Sequence, residues 1–303
     1  DISFAAGPGG TFYATWLGLK PDPAGMLYVS DMRLGTSTNG GDSFTSIVVD
    51  PEDVYLNDRP WVTVSPGGDV YLVYNQFLYD AAIGTYAPEA MVIARRPAGS
   101  PAFSLATVPA VVNQAGLWAG DGGDIDVLYE VIDATGADLY LAHSFDGGQS
   151  FDWRTRIGRT VEVSWAAQPC VPGASVERLA DGTRQILYMP TGGTQVVLRS
   201  ALVGVSGAVI SDLEGARAAQ ISLPWLARNV ADRTVAIWLT SGFGGLWGVS
   251  SAVFSGGIAT SIEPVPGTAS GTTGVWNSCD MPGNLWPGHY FAIEADGSEF
   301  VAT

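Results

Sequence analysis

A single lysine, Lys20, stands against thirteen arginines, and the 303 residues hold only two cysteines and two histidines. Basic residues number 14 and acidic ones 30, a formal net charge of -16. That deficit argues against a basic face for nucleic acid or an anionic membrane, and leaves cationic partners, calcium or plain solubility. Charged residues are scarce overall, at 15% against 47% hydrophobic, which excludes a disordered chain. No apolar run approaches the roughly 20 residues that span a bilayer, so no membrane insertion is expected. The most apolar stretch, 195–210, is interrupted by Arg199, Gly204 and Gly207. Two histidines cannot build a histidine-rich metal centre, and neither a G-x-S-x-G elbow nor a phosphate loop is present. Cys170 and Cys279 are too far apart for a zinc ribbon or a C-x-x-C motif, leaving one long-range disulfide or two free thiols. The chain begins at Asp1 without methionine, as a processed or trimmed product would, so a missing export signal decides nothing.

Glycine, at 39 residues, and proline, at 18, are plentiful. They cluster between short runs rich in β-branched and aromatic residues, such as Val70-Tyr71-Leu72-Val73-Tyr74 and Val235-Ala236-Ile237-Trp238-Leu239, the mark of strands. Only residues 211–220 have room for a helical turn or two. Strand, tight turn and strand recur with turns at Gly10, Gly68, Gly182, Asp232 and Gly297, and a further hairpin is expected near Gly122 to Leu128. A period of roughly 50 to 60 residues fits four-stranded propeller blades. The count predicts an all-β, six-bladed propeller in one domain, with blades at about 1–54, 55–111, 112–167, 168–214 and 215–267. The last unit, 268–303, holds two strands only, so a partner or further chain is expected to complete it.

A second repeat, S-x-[DN]-x-G-x-x-F, runs out of phase with the first. One copy carries Ser37, Asn39, Gly41 and Phe44, the other Ser144, Asp146, Gly148 and Phe151. The Asn or Asp side chain can accept backbone N–H groups of its own turn, the glycines permit left-handed backbone, and the Phe can plug between strands. This pattern is that of the Asp-box, or bacterial neuraminidase repeat, and here the chain resembles the sialidase-like β-propellers. Asp58-Arg59-Pro60-Trp61-Val62 and Gly288-His289-Tyr290-Phe291-Ala292-Ile293 resemble the starts of blades in secreted members of that group. The resemblance implies architecture and an extracellular or cell-surface location; many members have no assigned chemistry.

On a propeller the loops leading into innermost strands share one face with the loops joining strands two and three. That places Asp58, Arg59, residues 118–126, 168–172, 217–220 and 286–290 together, under the segment 75–88 as a lid. A catalytic sialidase, by the resemblance, needs three arginines clamping a carboxylate, a Tyr–Glu nucleophile and an acid/base Asp. The usual [FY]-R-I-P motif is missing, and Asp58-Arg59-Pro60 replaces it poorly. Asp58, Arg59, Asp124, His289 and Tyr290 are the catalytic candidates; Trp118, Trp286, Tyr79 and Tyr86 are candidates for stacking on sugars. Asp121, Asp124 and Asp126 can hold calcium, provide acid and base, or simply line a turn. His143 reads as a packed strand histidine. Cys170 and Cys279, each in a Pro/Gly-bearing loop before a blade, are expected to form a disulfide in an oxidising compartment. The expected function is a non-catalytic module binding a glycan or another surface protein; the alternative is a glycoside hydrolase or polysaccharide lyase.

Overall fold

Strands form where β-branched and aromatic residues sit between turns that only glycine or a short polar side chain can make. Val70 to Tyr74 is buried throughout, directly after a turn in which Gly68 takes φ 94°. The computed structural model describes residues 2–22, 28–51, 53–82, 84–109, 112–133, 136–160, 174–190, 196–218, 220–241, 247–265, 293–296 and 299–302. Cys170, Cys279, Trp286, His289 and Tyr290 lie outside the described residues. The chain divides into two compact units, residues 1–131 with 142–153, and residues 132–141 with 154–303.

β1 (Ile2–Gly7), β2 (Thr11–Pro21), β3 (Tyr28–Ser37) and β4 (Thr45–Asp50) make an antiparallel meander. β5 (Leu56–Val64), β6 (Val70–Asp80), β7 (Thr85–Arg96) and β8 (Ser104–Pro109) make a second, joined to the first by one parallel bridge from Ser30 to Leu56. β9 (Val112–Ala119), β10 (Ile125–Asp133), β11 (Gly136–Ser144) and β12 (Trp153–Thr160) form a third sheet. β13 (Ala174–Arg178), β14 (Arg184–Tyr188), β15 (Val196–Val203) and β16 (Val209–Ala218) form the fourth, and β17 (Gln220–Arg228), β18 (Thr234–Ser241), β19 (Trp247–Ser255) and β20 (Ile258–Pro264) the fifth. β21 (Ile293–Asp296) and β22 (Glu299–Ala302) pair as a hairpin. In each meander the way into the first strand and the turn between the second and third share one end, here the leading end. The other two turns share the opposite, or turn, end.

The fifth residue of β6, β10, β14 and β18 is in each case a buried aromatic: Tyr74, Tyr129, Tyr188 and Trp238. Burying such rings is worth about 2 to 3 kcal/mol apiece, provided their polar ends are met. Tyr74 donates its hydroxyl to Asp50 at 2.6 Å, and Tyr188 donates to Asp212 at 2.9 Å. In the first unit Tyr74 packs with Met32, Leu34, Val62, Leu72 and Val92; in the second Trp238 packs with Leu187, Leu198, Leu226 and Phe254. First strands are tied by serines. The Val62 amide of β5 donates to Ser3 of β1, and the Leu226 amide of β17 donates to Ser175 of β13.

Three expectations are corrected, and the hairpin expected near Gly122 is found. Residues 211–218 hold strand, not helix, because Val209, Ile210 and Leu213 belong to β16, laddered to β15. Residues 75–80 and 85–88 are paired strand, not loop: β6 and β7 stay laddered out to Asp80 and Thr85, past a register shift at Gln76/Phe77. The hairpin near Gly122 turns at Asp121–Gly123, between β9 and β10. β16 runs on to Ala218, beyond residue 214 where the fourth repeat was expected to end.

Candidate functional site

The two repeated turns share one hydrogen-bond set. Ser37 Oγ accepts the Gly41 amide at 3.0 Å and donates to Asn39 Oδ1 at 2.8 Å; Asn39 Oδ1 also accepts the Ser43 amide at 3.1 Å. Ser144 Oγ likewise accepts the Gly148 amide at 2.9 Å and donates to Asp146 Oδ1 at 2.8 Å, which accepts the Ser150 amide at 2.9 Å. Gly41 and Gly148 take φ 92° and 90°, open only to glycine at low cost. Burial pushes the Asp146 carboxyl up, but bonds from Ser150, Ser144 and Gln149 outweigh it and hold it below the ordinary range. Every polar atom in these bonds faces its own turn. The side chains staple the backbone.

The acidic cluster lies at the turn end of the third sheet, not in a loop leading into it. Its three carboxylates have different tasks. Asp121 Oδ1 accepts the Gly67 amide, from the turn between β5 and β6. Asp126 is fully buried and lies 3.0 Å from His143 Nδ1, which is also 3.1 Å from the Ile125 carbonyl. Both neighbours are acceptors, so Nδ1 carries the proton. Asp124 is 3.7 Å from the same nitrogen, and the imidazole is stacked on Trp153. The second sheet fills the corresponding places with Asp69, Tyr71 and Arg95. Arg95 pairs with Asp69 at 2.8 Å, and the Ala98 amide donates to the other Asp69 oxygen at 2.8 Å. Burial raises the Asp69 carboxyl, but the Ala98 and Arg95 bonds bring it below its ordinary value; burial pushes the Tyr71 hydroxyl up to about 12. Asp124, Asp126 and His143 thus replace an Asp–Tyr–Arg network with an Asp–Asp–His one. Among the described residues no group of three His, Cys, Asp or Glu side chains is placed to hold a metal. Trp118 belongs to this same end, with its ring over Gly120.

Asp58 and Arg59 sit at the leading end of β5, where the ladder to β6 slips between Asp58 and Trp61. Arg59 takes φ 55°, costly for a residue with a long side chain, and its amide is held by Asp58 Oδ1 at 2.8 Å. Next to them Asn57 and Ser30, both fully buried, exchange side-chain to carbonyl bonds of 2.9 and 2.5 Å. Tyr79 and Tyr86 lie at the leading end of the second sheet, rings edge to face with centroids 5.5 Å apart. Tyr86 accepts the Tyr28 amide at 2.9 Å and donates to the Tyr28 carbonyl at 2.6 Å, clasping the long hairpin to β3. Sequence reasoning missed Tyr28, whose ring is 63% exposed, with Leu19, Leu78 and Val54 also exposed. Lys20 joins this end through Asp31 at 2.8 Å and Asp53 at 3.0 Å.

No family model and no curated protein matches the chain. Solved structures do. A protein of unknown function from Dyadobacter fermentans DSM 18053 is 12% identical with a TM-score of 0.59, over 84% of this chain and 78% of that one. The Hadza microbial sialidase Hz136 is 11% identical with a TM-score of 0.54, over 97% of this chain. The intramolecular trans-sialidase from Ruminococcus gnavus, solved with oseltamivir carboxylate, is 9% identical at 0.54, over 97% of this chain and 86% of that one. The fold is that of the sialidase-like propellers. This propeller chain spans 60% of the length of the Hadza sialidase.

Arginines in this sialidase-like fold are placed unevenly. Among the described residues, Arg59 is the only one in the leading part of a first strand. Arg95, Arg96, Arg178, Arg184, Arg228 and Arg233 flank turn ends. Arg199 is engaged with Asp212, and Arg154, Arg156 and Arg159 lie on the outermost strand β12.

Proposed function

We propose that the chain is a secreted or surface-exposed, six-bladed sialidase-like propeller, stapled by Asp-box turns, that binds a glycan or another surface protein without cleaving it. The observation that carries this reading is that Arg59 is the single arginine at the start of a described first strand, Arg217 reaching the same end only in the outermost strand β16. Clamping a sialoside carboxylate takes several convergent guanidinium forks, and none of the other described arginines lies where Arg59 does. Tyr28, 63% exposed and bound through its backbone by Tyr86, offers instead an apolar surface at the leading end, suited to a sugar ring or a partner side chain. Asp58 next to the strained Arg59 favours a second reading, a glycoside hydrolase or polysaccharide lyase working through carboxylates. A fluorogenic glycoside panel run beside a glycan array separates the two. The binding reading expects array signal that falls with Tyr28→Ala and no turnover of any glycoside. Turnover that disappears with Asp58→Asn would overturn it.

A further inference from the structure

Asn39 is followed by Gly40, and no other asparagine in the chain precedes a glycine. The backbone nitrogen of the next residue can attack an asparagine side chain, and glycine, with no Cβ in the way, obstructs that attack least. Folding suppresses the reaction where it engages that nitrogen or walls the pair in. The first repeated turn does neither. Asn39, Gly40 and Gly41 are exposed, and the Gly40 amide meets no acceptor among the described residues. Beyond its chain neighbours, nothing lies within 4 Å of where a Cβ on Gly40 would sit. Asn39 Oδ1 meanwhile accepts two hydrogen bonds, from Ser37 Oγ at 2.8 Å and from the Ser43 amide at 3.1 Å. Those donors draw electrons from Cγ and stabilise the negative charge that attack places on Oδ1, as an oxyanion hole does. The second turn has the opposite arrangement. Its Gly147 amide donates to the Gly123 carbonyl at 2.9 Å, and Gly147 packs against the Arg95 side chain. The Asp146 carboxyl, held below its ordinary range, is ionised at neutral pH, and an ionised carboxylate offers no leaving group.

We propose that Asn39 and Gly40 form a self-modification site, at which the first turn deamidates without an enzyme while the second stays intact. The Gly40 nitrogen gives its proton to solvent base and bonds to Asn39 Cγ. The bond from Cγ to Nδ2 breaks, and Nδ2 takes a proton from water and leaves as ammonia. Water then opens the five-membered imide at one of its two carbonyls. Opening at Cγ leaves an ordinary aspartate at position 39; opening at the backbone carbonyl leaves isoaspartate, with the chain running through the side chain. One water is consumed, one ammonia is released and one negative charge is gained, with no oxidant or reductant. The two products treat the turn differently. Aspartate keeps both acceptor bonds, and Ser43 Oγ need only turn from accepting to donating, as Ser150 Oγ already donates to Asp146 at 2.6 Å. Isoaspartate adds a methylene to the backbone between β3 and β4 and carries its carboxylate on the wrong carbon for Ser37 and Ser43, so it opens the staple. The turn thus records the age of the molecule, harmlessly in one branch and by loosening β4 in the other. The site does not depend on the binding reading.

The test is timed incubation of the whole folded chain at mildly alkaline pH, with peptide mapping by mass spectrometry, beside a free peptide spanning residues 35–45. Position 39 should gain about 1 Da at a rate no lower than that of the free peptide. Isoaspartate, separated from aspartate by chromatography, should accumulate in step with a fall in the melting temperature. Asn39→Asp, which already carries the product acid, should not show that fall. Asp146→Asn places a second Asn-Gly pair in the same chain. Its amide should react about tenfold more slowly than Asn39, the factor set by the one backbone hydrogen bond that must break first. A rate at position 39 below that of the free peptide would overturn the proposal. So would equal rates at positions 39 and 146 in the variant, because the reaction would then follow sequence alone. The comparison of wild type with the peptide needs no variant, so the proposal can fail even where the variant misfolds.

Discussion

Asp146 and Asn39 hold equivalent places in two turns of one chain, so each serves as the other's control. Asp146→Ala removes the acceptor for the Ser150 amide at 2.9 Å, for Ser150 Oγ at 2.6 Å and for Ser144 Oγ at 2.8 Å. A buried bond to a charged group is worth about 1.5–3 kcal/mol, but this carboxylate is exposed and water competes for it, so about 1–2 kcal/mol in total is expected, as for a lost helix cap. In a cooperative unit of this size each kcal/mol moves the melting temperature by roughly 2–4 °C. Asp146→Asn should cost about 0.5 kcal/mol or less. Asn39 shows why: its Oδ1 keeps the serine and amide bonds, and its Nδ2 donates to Ser43 Oγ at 2.9 Å. The difference between the acid and the amide should also depend on pH. The Asp146 carboxyl titrates below its unfolded value, so its contribution is complete above about pH 4 and is lost as pH falls through the folded-state value. Chemical denaturation of the wild type and both variants at pH 7 and in a series down to pH 3 measures this. An Asn variant as damaged as the Ala variant, or an Ala variant equal to wild type, would refute the staple.

Arg95→Ala strands the largely buried Asp69 with only the Ala98 amide and Tyr71 hydroxyl, and should cost about 2–4 kcal/mol. Its acid-unfolding midpoint should move to higher pH, because Asp69 loses part of what depresses it; an unmoved midpoint in circular dichroism would contradict the assignment. Gly158→Ala puts a Cβ 2.9 Å from the Tyr188 ring, an overpacking cost of about 1–3 kcal/mol that a double-mutant cycle with Tyr188→Ala should abolish. Chelation should leave the melting temperature unchanged, since Asp121, Asp124 and Asp126 serve different partners; a fall restored by calcium would show that they converge on an ion. The disulfide expected from the sequence between Cys170 and Cys279 would close a long loop, be worth about 4–5 kcal/mol at most, and leave no reactive thiol in denatured, unreduced protein. Two thiols per chain would dispose of it.

Much of the fold is written in local chemistry. The turns at Gly10, Gly68, Gly182 and Asp232 were readable because left-handed backbone needs glycine or a short polar residue, and the structure bends at each of them. The turn at Asp121–Gly123 was harder to place. Its Gly-Asp-Gly-Gly-Asp-Ile-Asp matches Ser-Pro-Gly-Gly-Asp-Val-Tyr at Ser65 to Tyr71, in keeping with the hairpin expected there, while three carboxylates in six residues also suit a ligand site. What separates the readings is the Gly67 amide and the His143 ring, both distant in sequence. Residues 75–88 misled for a different reason: Pro88 and Gly84 suggest a loop, yet a register shift lets the ladder continue past the proline. Tyr28 went unnoticed because nothing around it in sequence announces that Tyr86 will bind its backbone.

The serine links between first strands bear on how the chain is made. Ser3 to Val62 and Ser175 to Leu226 each span about one repeat, and within every meander a strand pairs with its neighbour in sequence. Loop closure is therefore met in short steps, and few contacts wait for distant residues. As the polypeptide leaves the ribosome, a finished sheet already presents the hydroxyl that will receive the next sheet's first strand. Order of synthesis and order of folding can coincide, and the unpaired edge open to wrong partners at any moment stays close to that of one sheet.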